Sequence, residues 1–198
     1  FEGERARDYP MPALAGTDFT ERMTTAARRL GWHPFPGPAA INSVAYDERP
    51  ACLYHGFCNR GGCHVNAKNS TAVSTIPKAL ATGRLKVVTQ ATITSVAVDE
   101  KSGRVTGVRY LKGHHGVGGL AVRREVILCG GTVNTPQLLM LSGIGPGEHL
   151  RQRGVEVLVD ASEVGKNLRD HLSAGLVLRG RNFKSLISGR TPAGLGTY

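Results

Sequence analysis

Three of the four cysteines crowd into one glycine-rich stretch, Ala51–Lys68, which reads ACLYHGFCNRGGCHVNAK. Cys52, Cys58 and Cys63 are spaced C-x5-C-x4-C, with His55 and His64 interspersed. A thiolate is both a nucleophile and a metal ligand, so sulfur at this density can do chemistry. A single disulfide would leave one cysteine over. The spacing is open to a disulfide with a free thiol, to reduced structural cysteines, or to a metal-bearing loop such as a zinc site. The fourth cysteine, Cys129, sits in an apolar run and is expected to be an inert core thiol.

The second stretch with chemical potential follows that run. Val126-Ile127-Leu128-Cys129 is continuous and apolar, as expected of a strand buried on both faces in a parallel sheet. Gly130 and Gly131 then allow a turn that lets backbone approach a ligand closely. Asn134 or Thr135 is expected to cap a short helix with Pro136 at its first position, where a missing N–H costs nothing. Leu138, Leu139 and Leu141 would form its buried face, Gly143 its stop, and Pro146 follows. A helix N-terminus behind a glycine turn is an anion site, suited to a pyrophosphate.

The elements that must position these stretches are legible from period and punctuation. A Pro-rich lead precedes a helix expected from Asp18, as cap, to about Leu30, with Phe19, Met23, Ala26, Ala27 and Leu30 on one face and Gly31 as its stop. Trp32–Pro38 is loop. A second helix is expected over residues 70–82, entered through Asn69-Ser70-Thr71, with Pro77 implying a kink or early stop. From Leu85 the period becomes two, and LKVVTQATITSVAVDE is a strand by composition. Lys101-Ser102-Gly103 turns it, RVTGVRYL returns, and Gly113–Gly119 (GHHGVGG) turns again. An antiparallel meander feeding a buried strand makes the fold class α/β, with an α+β flavour.

Composition narrows the function. The formal charge is +10, with 6% aromatics. The basic residues are scattered and the longest runs are the pairs Arg28-Arg29 and Arg123-Arg124, unlike the aromatic-lined stripe of a nucleic-acid binder. No nucleic-acid partner is expected, and the surplus suits an anionic cofactor or substrate. No uninterrupted apolar stretch approaches the roughly 18 residues a membrane span needs, so no transmembrane segment is expected. Phe1 opens a polar lead without an apolar h-region, which fits a segment cut from a longer polypeptide.

Gly131–Gly145, GTVNTPQLLMLSGIG, resembles at every constrained position the second signature of the glucose–methanol–choline (GMC) oxidoreductases, [GS]-[PSTA]-x-x-[ST]-[PS]-x-[LIVM]-[LIVM]-x-x-S-G-[LIVM]-G. Val126–Gly131 is similar to the family's final strand of the FAD fold, Val164–His171 to its V-G-x-N-L-x-D-H segment, and Leu85–Gly107 to its strand–turn–strand. The resemblance implies a Rossmann-like FAD-binding fold with an antiparallel meander, joined to the start of a substrate domain. It divides the chain into a substrate-side cysteine-loop segment (residues 1–70), a part of the FAD-binding domain (71–147), and a connection into the substrate domain (148–198). The implied function is oxidation of a CH–OH group of an alcohol, sugar or sugar acid, with hydride passing to the flavin. Gly130 and Gly131 would contact the cofactor, and Ile93, in the A-x-V position of Ala91-Thr92-Ile93, would read the adenine edge with its backbone N–H and C=O.

The family's G-x-G-x-x-G has no counterpart here, and its catalytic His lies beyond the C-terminus, so no catalytic residue is expected in this segment. His171 is expected to bond nearby backbone, His114 and His115 to be solvated, and His33 and His149 to be surface or packing residues. The likeness is closest to the gluconate, sorbitol and FAD-glucose dehydrogenases, whose C-x-x-C-G-x-C loop holds a [3Fe–4S] cluster in some members. That adds an iron–sulfur site on Cys52, Cys58 and Cys63 to the open readings, although His55 stands where many of them have cysteine. A cluster would imply a cytochrome or quinone as electron acceptor. Location is left open between a bacterial periplasmic or membrane-associated complex and the cytoplasm. The alternative function is a non-catalytic remnant, or a metal-binding module whose flavin fold has decayed.

Overall fold

A computed structural model describes residues 8–54, 62–113 and 116–175. These fall into two compact units, one running up to Lys86 and the other spanning Val87–Gly175. Among the described residues no helix is long and apolar enough to cross a membrane.

In the first unit, helix α1 covers Asp18–Arg29. Its cap is Thr17 and not Asp18: Thr17 accepts from the Thr20 N–H, and the Thr20 side chain accepts the Thr17 N–H in return. Asp18 instead occupies the first turn, where its charge faces the positive end of the helix dipole. Gly31 ends the helix at φ +78°. Helix α2 is shorter than the sequence suggests, covering only Thr75–Ala81. That start puts Pro77 in the first turn, where its missing N–H breaks no helical bond.

Between the helices the backbone is organised by one asparagine. Asn42 is 1% exposed, and its backbone N–H, its carbonyl and its side-chain NH2 are all paired. Its N–H donates to the Ala67 carbonyl and its own carbonyl accepts the Cys52 N–H. Its Nδ2 donates to the carbonyls of Tyr46 and Arg49. Those two residues close a tight turn whose central pair, Asp47 and Glu48, both have positive φ. Asp47 also pairs with Lys78 on α2 at 2.5 Å.

The second unit begins with the expected meander. Strands β1 (Ala91–Val98), β2 (Val105–Lys112) and β3 (Gly116–Ala121) pair antiparallel in that order. The glycine-rich stretch expected as turn is largely strand, because β3 starts at Gly116. Gly118 makes this work: Tyr110 lies opposite it and its ring packs where a Cβ would stand. His114 and His115 lie outside the described residues.

Helix α3 (Gly131–Leu141) follows, then β4 (Ile144–Gly145), α4 (Gly147–Gln152) and β5 (Val159–Asp160), with β4 and β5 parallel. Two expectations fail here. Helix α3 begins at Gly131, not at Pro136, so Pro136 lies inside it and the Thr132 carbonyl loses its partner. Val126–Cys129 is not a strand, Ile127 is 75% exposed and Cys129 is exposed. A strand needs at least one neighbour to pair with, and no described segment pairs with this one. Leu141 is exposed as well, and Met140 takes the place expected of it on the covered face.

The turn after α3 is built from glycines that nothing larger could replace. Gly143 has φ +79°, and a Cβ there would stand 2.6 Å from the Glu156 carbonyl oxygen and 2.9 Å from Leu158 Cγ. Its carbonyl accepts from both Leu158 and Val159. At Gly145 a Cβ would meet Met140 Cγ at 2.8 Å. At Gly147 it would meet the Asp160 carboxylate, which already accepts the Gly147 N–H at 2.9 Å. Gly143→Ala combines backbone strain with a clash and is expected to cost about 3 kcal/mol or more. Gly154→Ala has φ +70° but open space, so only strain remains, about 1 kcal/mol. Urea unfolding of the two variants checks the contrast, and equal losses would contradict it.

Candidate cofactor site

The ladder fixes which way the groups of β1 point. The Gly113 N–H donates to the Gln90 carbonyl, so that pair is hydrogen-bonded, and the parity alternates along the register Ala91↔Lys112, Thr92↔Leu111, Ile93↔Tyr110. Thr92 therefore bonds to β2, while the N–H and C=O of Ile93 point away from it. Strand β1 is the edge of the three-stranded sheet, so these groups face outward. The register shifts between Ile93 and Ser95, and beyond that bulge Val96 is the next outward residue. Its N–H is taken by the Ser142 hydroxyl at 2.8 Å. The Ile93 groups have no partner among the described residues. The ladder thus leaves an outward donor and acceptor at Ile93.

Gly130 and Gly131 stand at the other end of α3, which packs on β1 in the same unit. No side chain caps this helix, so its first N–H groups are open. Gly131 has φ +84° and nothing within 4 Å of where its Cβ would be. Gly130 is tighter, since a Cβ there would crowd the Thr135 hydroxyl at 3.2 Å. Thus a strained turn opens onto free space at a positively polarised helix end.

Ser142, which the sequence reading left without a role, holds these parts together. It is 5% exposed, and its Oγ donates to the Leu138 carbonyl while accepting from Val96. Its partner in the strand lies 46 residues away, so no local pattern could have revealed it. Gly165, of the V-G-x-N-L segment, has φ +80° and lies against Met140 and Pro136 of α3. Among the described residues the histidines form no centre: His33, His149 and His171 are exposed, and at His171 it is the backbone N–H that bonds, to Asp170.

The sulfur loop belongs to the other unit. Cys52 and Cys63 are free and half-buried, and Cys58 and His55 lie outside the described residues. Among the described residues no group of three or more Cys, His, Asp or Glu side chains could hold a metal ion. Each described sulfur nevertheless receives a backbone N–H, from Tyr54 to Cys52 at 3.4 Å and from Lys68 to Cys63 at 3.5 Å. The Lys68 N–H is the main cause holding the Cys63 thiol below its ordinary pKa, with Val65, Ala67 and Asn66 adding to it against a desolvation that opposes it. Hydrogen bonds to sulfur favour the thiolate that a metal centre needs.

Comparison with known proteins decides the family. Residues 20–173 match the GMC oxidoreductase family. The chain belongs to that family. The described unit of meander, α3 and following turns is accordingly part of a GMC FAD-binding domain of mixed helix and strand. Over 108 residues the chain is 44% identical to the chloroplastic fatty acid photodecarboxylase of Chlamydomonas reinhardtii, covering 52% of this chain and 18% of that protein. It is 43% identical over 104 residues to an oxygen-dependent choline dehydrogenase of Yersinia pestis, covering 52% and 18%. Among solved structures, a formate oxidase of Aspergillus oryzae RIB40 is 35% identical over 45% of this chain and 15% of its own, with a TM-score of 0.44. The chain therefore spans about a fifth of the length of these curated GMC relatives.

Two outcomes follow for this site. In the complete polypeptide, Ile93→Val keeps both backbone groups and is expected to leave FAD retention unchanged. Gly131→Val places a β-branched residue at φ +84° and is expected to weaken cofactor binding at least tenfold. Flavin titration checks both, and an Ile93→Val protein that loses its flavin contradicts the backbone reading. At Cys63 the fold favours the thiolate. Its contribution is in place above the unfolded thiol pKa and is lost as pH falls through the folded one. Alkylation of Cys63 below pH 8 is therefore expected to run faster in the folded chain than in urea, and equal rates would contradict it.

Proposed function

We propose that the chain is the part of an FAD-dependent dehydrogenase that holds the adenosine and pyrophosphate of its cofactor, in an enzyme oxidising a CH–OH group of an alcohol, sugar or sugar acid. The observation that carries this reading is the outward pair of Ile93 backbone groups on the free edge of β1. One donor beside one acceptor matches an adenine edge, which also offers one of each. Helix α3 adds unpaired N–H groups and a positive dipole end behind Gly130 and Gly131, suited to phosphate oxygens. When bound, the flavin supplies the sink for the hydride leaving carbon, while the hydroxyl proton goes to a base. We assign no base among the described residues, whose histidines make no such constellation.

In this reading residues 1–70 form the substrate-side segment with the cysteine loop, 71–147 belong to the FAD-binding domain, and 148–198 lead into the substrate domain. The finer assignment, to the gluconate, sorbitol and FAD-glucose dehydrogenase group with a cytochrome or quinone acceptor, rests on Cys52, Cys58 and Cys63. Its support is the gathering of three cysteines on one glycine-rich loop and the N–H···S bonds at Cys52 and Cys63, while the spacing C-x5-C-x4-C departs from C-x-x-C-G-x-C.

The test uses the complete polypeptide purified without oxygen. It is expected to carry FAD whose yellow absorbance bleaches on adding an alcohol or aldose, and, for the finer assignment, about three irons per flavin. Protein without flavin, or flavin that no alcohol, sugar or sugar acid bleaches, contradicts the proposed activity. Flavin without iron leaves the activity standing and removes the cluster with its acceptor.

A further inference from the structure

We infer that Ser142 is a positioning residue for the cofactor, acting through Val96 and α3 to set the spacing between the Ile93 edge and the Gly130–Gly131 turn. The inference rests on the proposed FAD site. Its own support is the geometry of one buried hydroxyl.

Strand β1 has few outward-facing groups. Ile93 and Val96 lie on the same free edge because the bulge between Ile93 and Ser95 resets the alternation. The Val96 N–H is held by Ser142 Oγ at 2.8 Å, and that oxygen donates in turn to the Leu138 carbonyl, one turn back in α3. The C-terminal end of α3 is therefore fastened three residues along the strand from the Ile93 groups. The glycine turn lies at the other end of the same helix, 11 residues away. At the helical rise this puts about 16 Å of helix between the hydroxyl and the turn.

A hydroxyl suits this place better than an apolar group of like size. Val96 and Ser142 are buried, at 6% and 5% exposure, so removing the oxygen leaves an N–H without water or partner. The strand would then have to shift or the helix to slide, and either changes the distance between the two contacts. Gly143 limits the ways to relax, because the backbone right after Ser142 is pinned by the two N–H groups on its carbonyl. Loss of the hydroxyl therefore acts on register as well as on stability.

The experiment compares FAD with FMN, which lacks the adenosine half, in the complete apo-polypeptide. Ser142→Ala is expected to weaken FAD binding about tenfold while changing FMN binding less than about twofold, so the preference for FAD collapses. Ser142→Thr, which restores the hydroxyl, is expected to recover most of the preference. Ser142→Cys keeps the size and weakens both hydrogen bonds, and it carries the same expectation if Ser142→Ala does not fold. Variants that melt earlier yet keep the wild-type ratio of FAD to FMN affinity show a purely structural hydroxyl and overturn the inference alone. A wild-type protein that holds FAD no tighter than FMN overturns the proposed site, and this inference with it.

Discussion

The second unit hangs on a polar pin. Among the described residues its buried apolar side chains are only Val96 and Leu150, which is too little oily surface to fix how a helix sits on a sheet. Hydrophobic burial is non-directional, whereas a buried hydroxyl with a donor on one side and an acceptor on the other has one solution. Ser142 provides it, and the Gly143 carbonyl adds a second pin by accepting from Leu158 and Val159. Each bond is worth only about 1 kcal/mol net, but an unmade one in this place costs more than a made one gains. The segment Ser142–Gly147 therefore works as a joint, holding the end of α3, the short β4–β5 pair and the start of α4.

This joint changes how the signature motif reads. From sequence, Gly130 and Gly131 are expected to contact the cofactor and Gly143 to stop the helix. In the structure they divide. Gly130 and Gly131 lie at an uncapped helix end, Gly131 facing open space, where a ligand can approach. Gly143, Gly145 and Gly147 face protein atoms at distances no Cβ could tolerate. The first pair stands at a helix end and the last three are held by packing, although all five fall within one short run of sequence.

What the sequence made legible was local. The alternation in ATITSVAV and VTGVRYLK located β1 and β2. What it could not show depended on distant partners. The apolar run Val126–Cys129 promised a buried strand, but a strand is defined by its neighbours, and the described residues supply none. Cys129 is exposed for the same reason. Pro136 looked like a helix start because proline favours that position, yet the Gly130–Gly131 turn winds the helix earlier and tolerates the lost bond. Asn42 passed as an ordinary loop residue, since its role is visible only once Ala67, Cys52, Tyr46 and Arg49 surround it. The N–H groups on the Cys52 and Cys63 sulfurs were likewise invisible in a spacing count.

Two neighbouring outward residues of β1 differ: the Val96 N–H is taken from within by Ser142, and the Ile93 groups stand open. Amide hydrogen exchange on the chain without cofactor reads both groups at once. Slow exchange at Val96, Leu158 and Val159 with fast exchange at Ile93 is the result expected. Protection at Ile93 without ligand, or fast exchange at Val96, would contradict it.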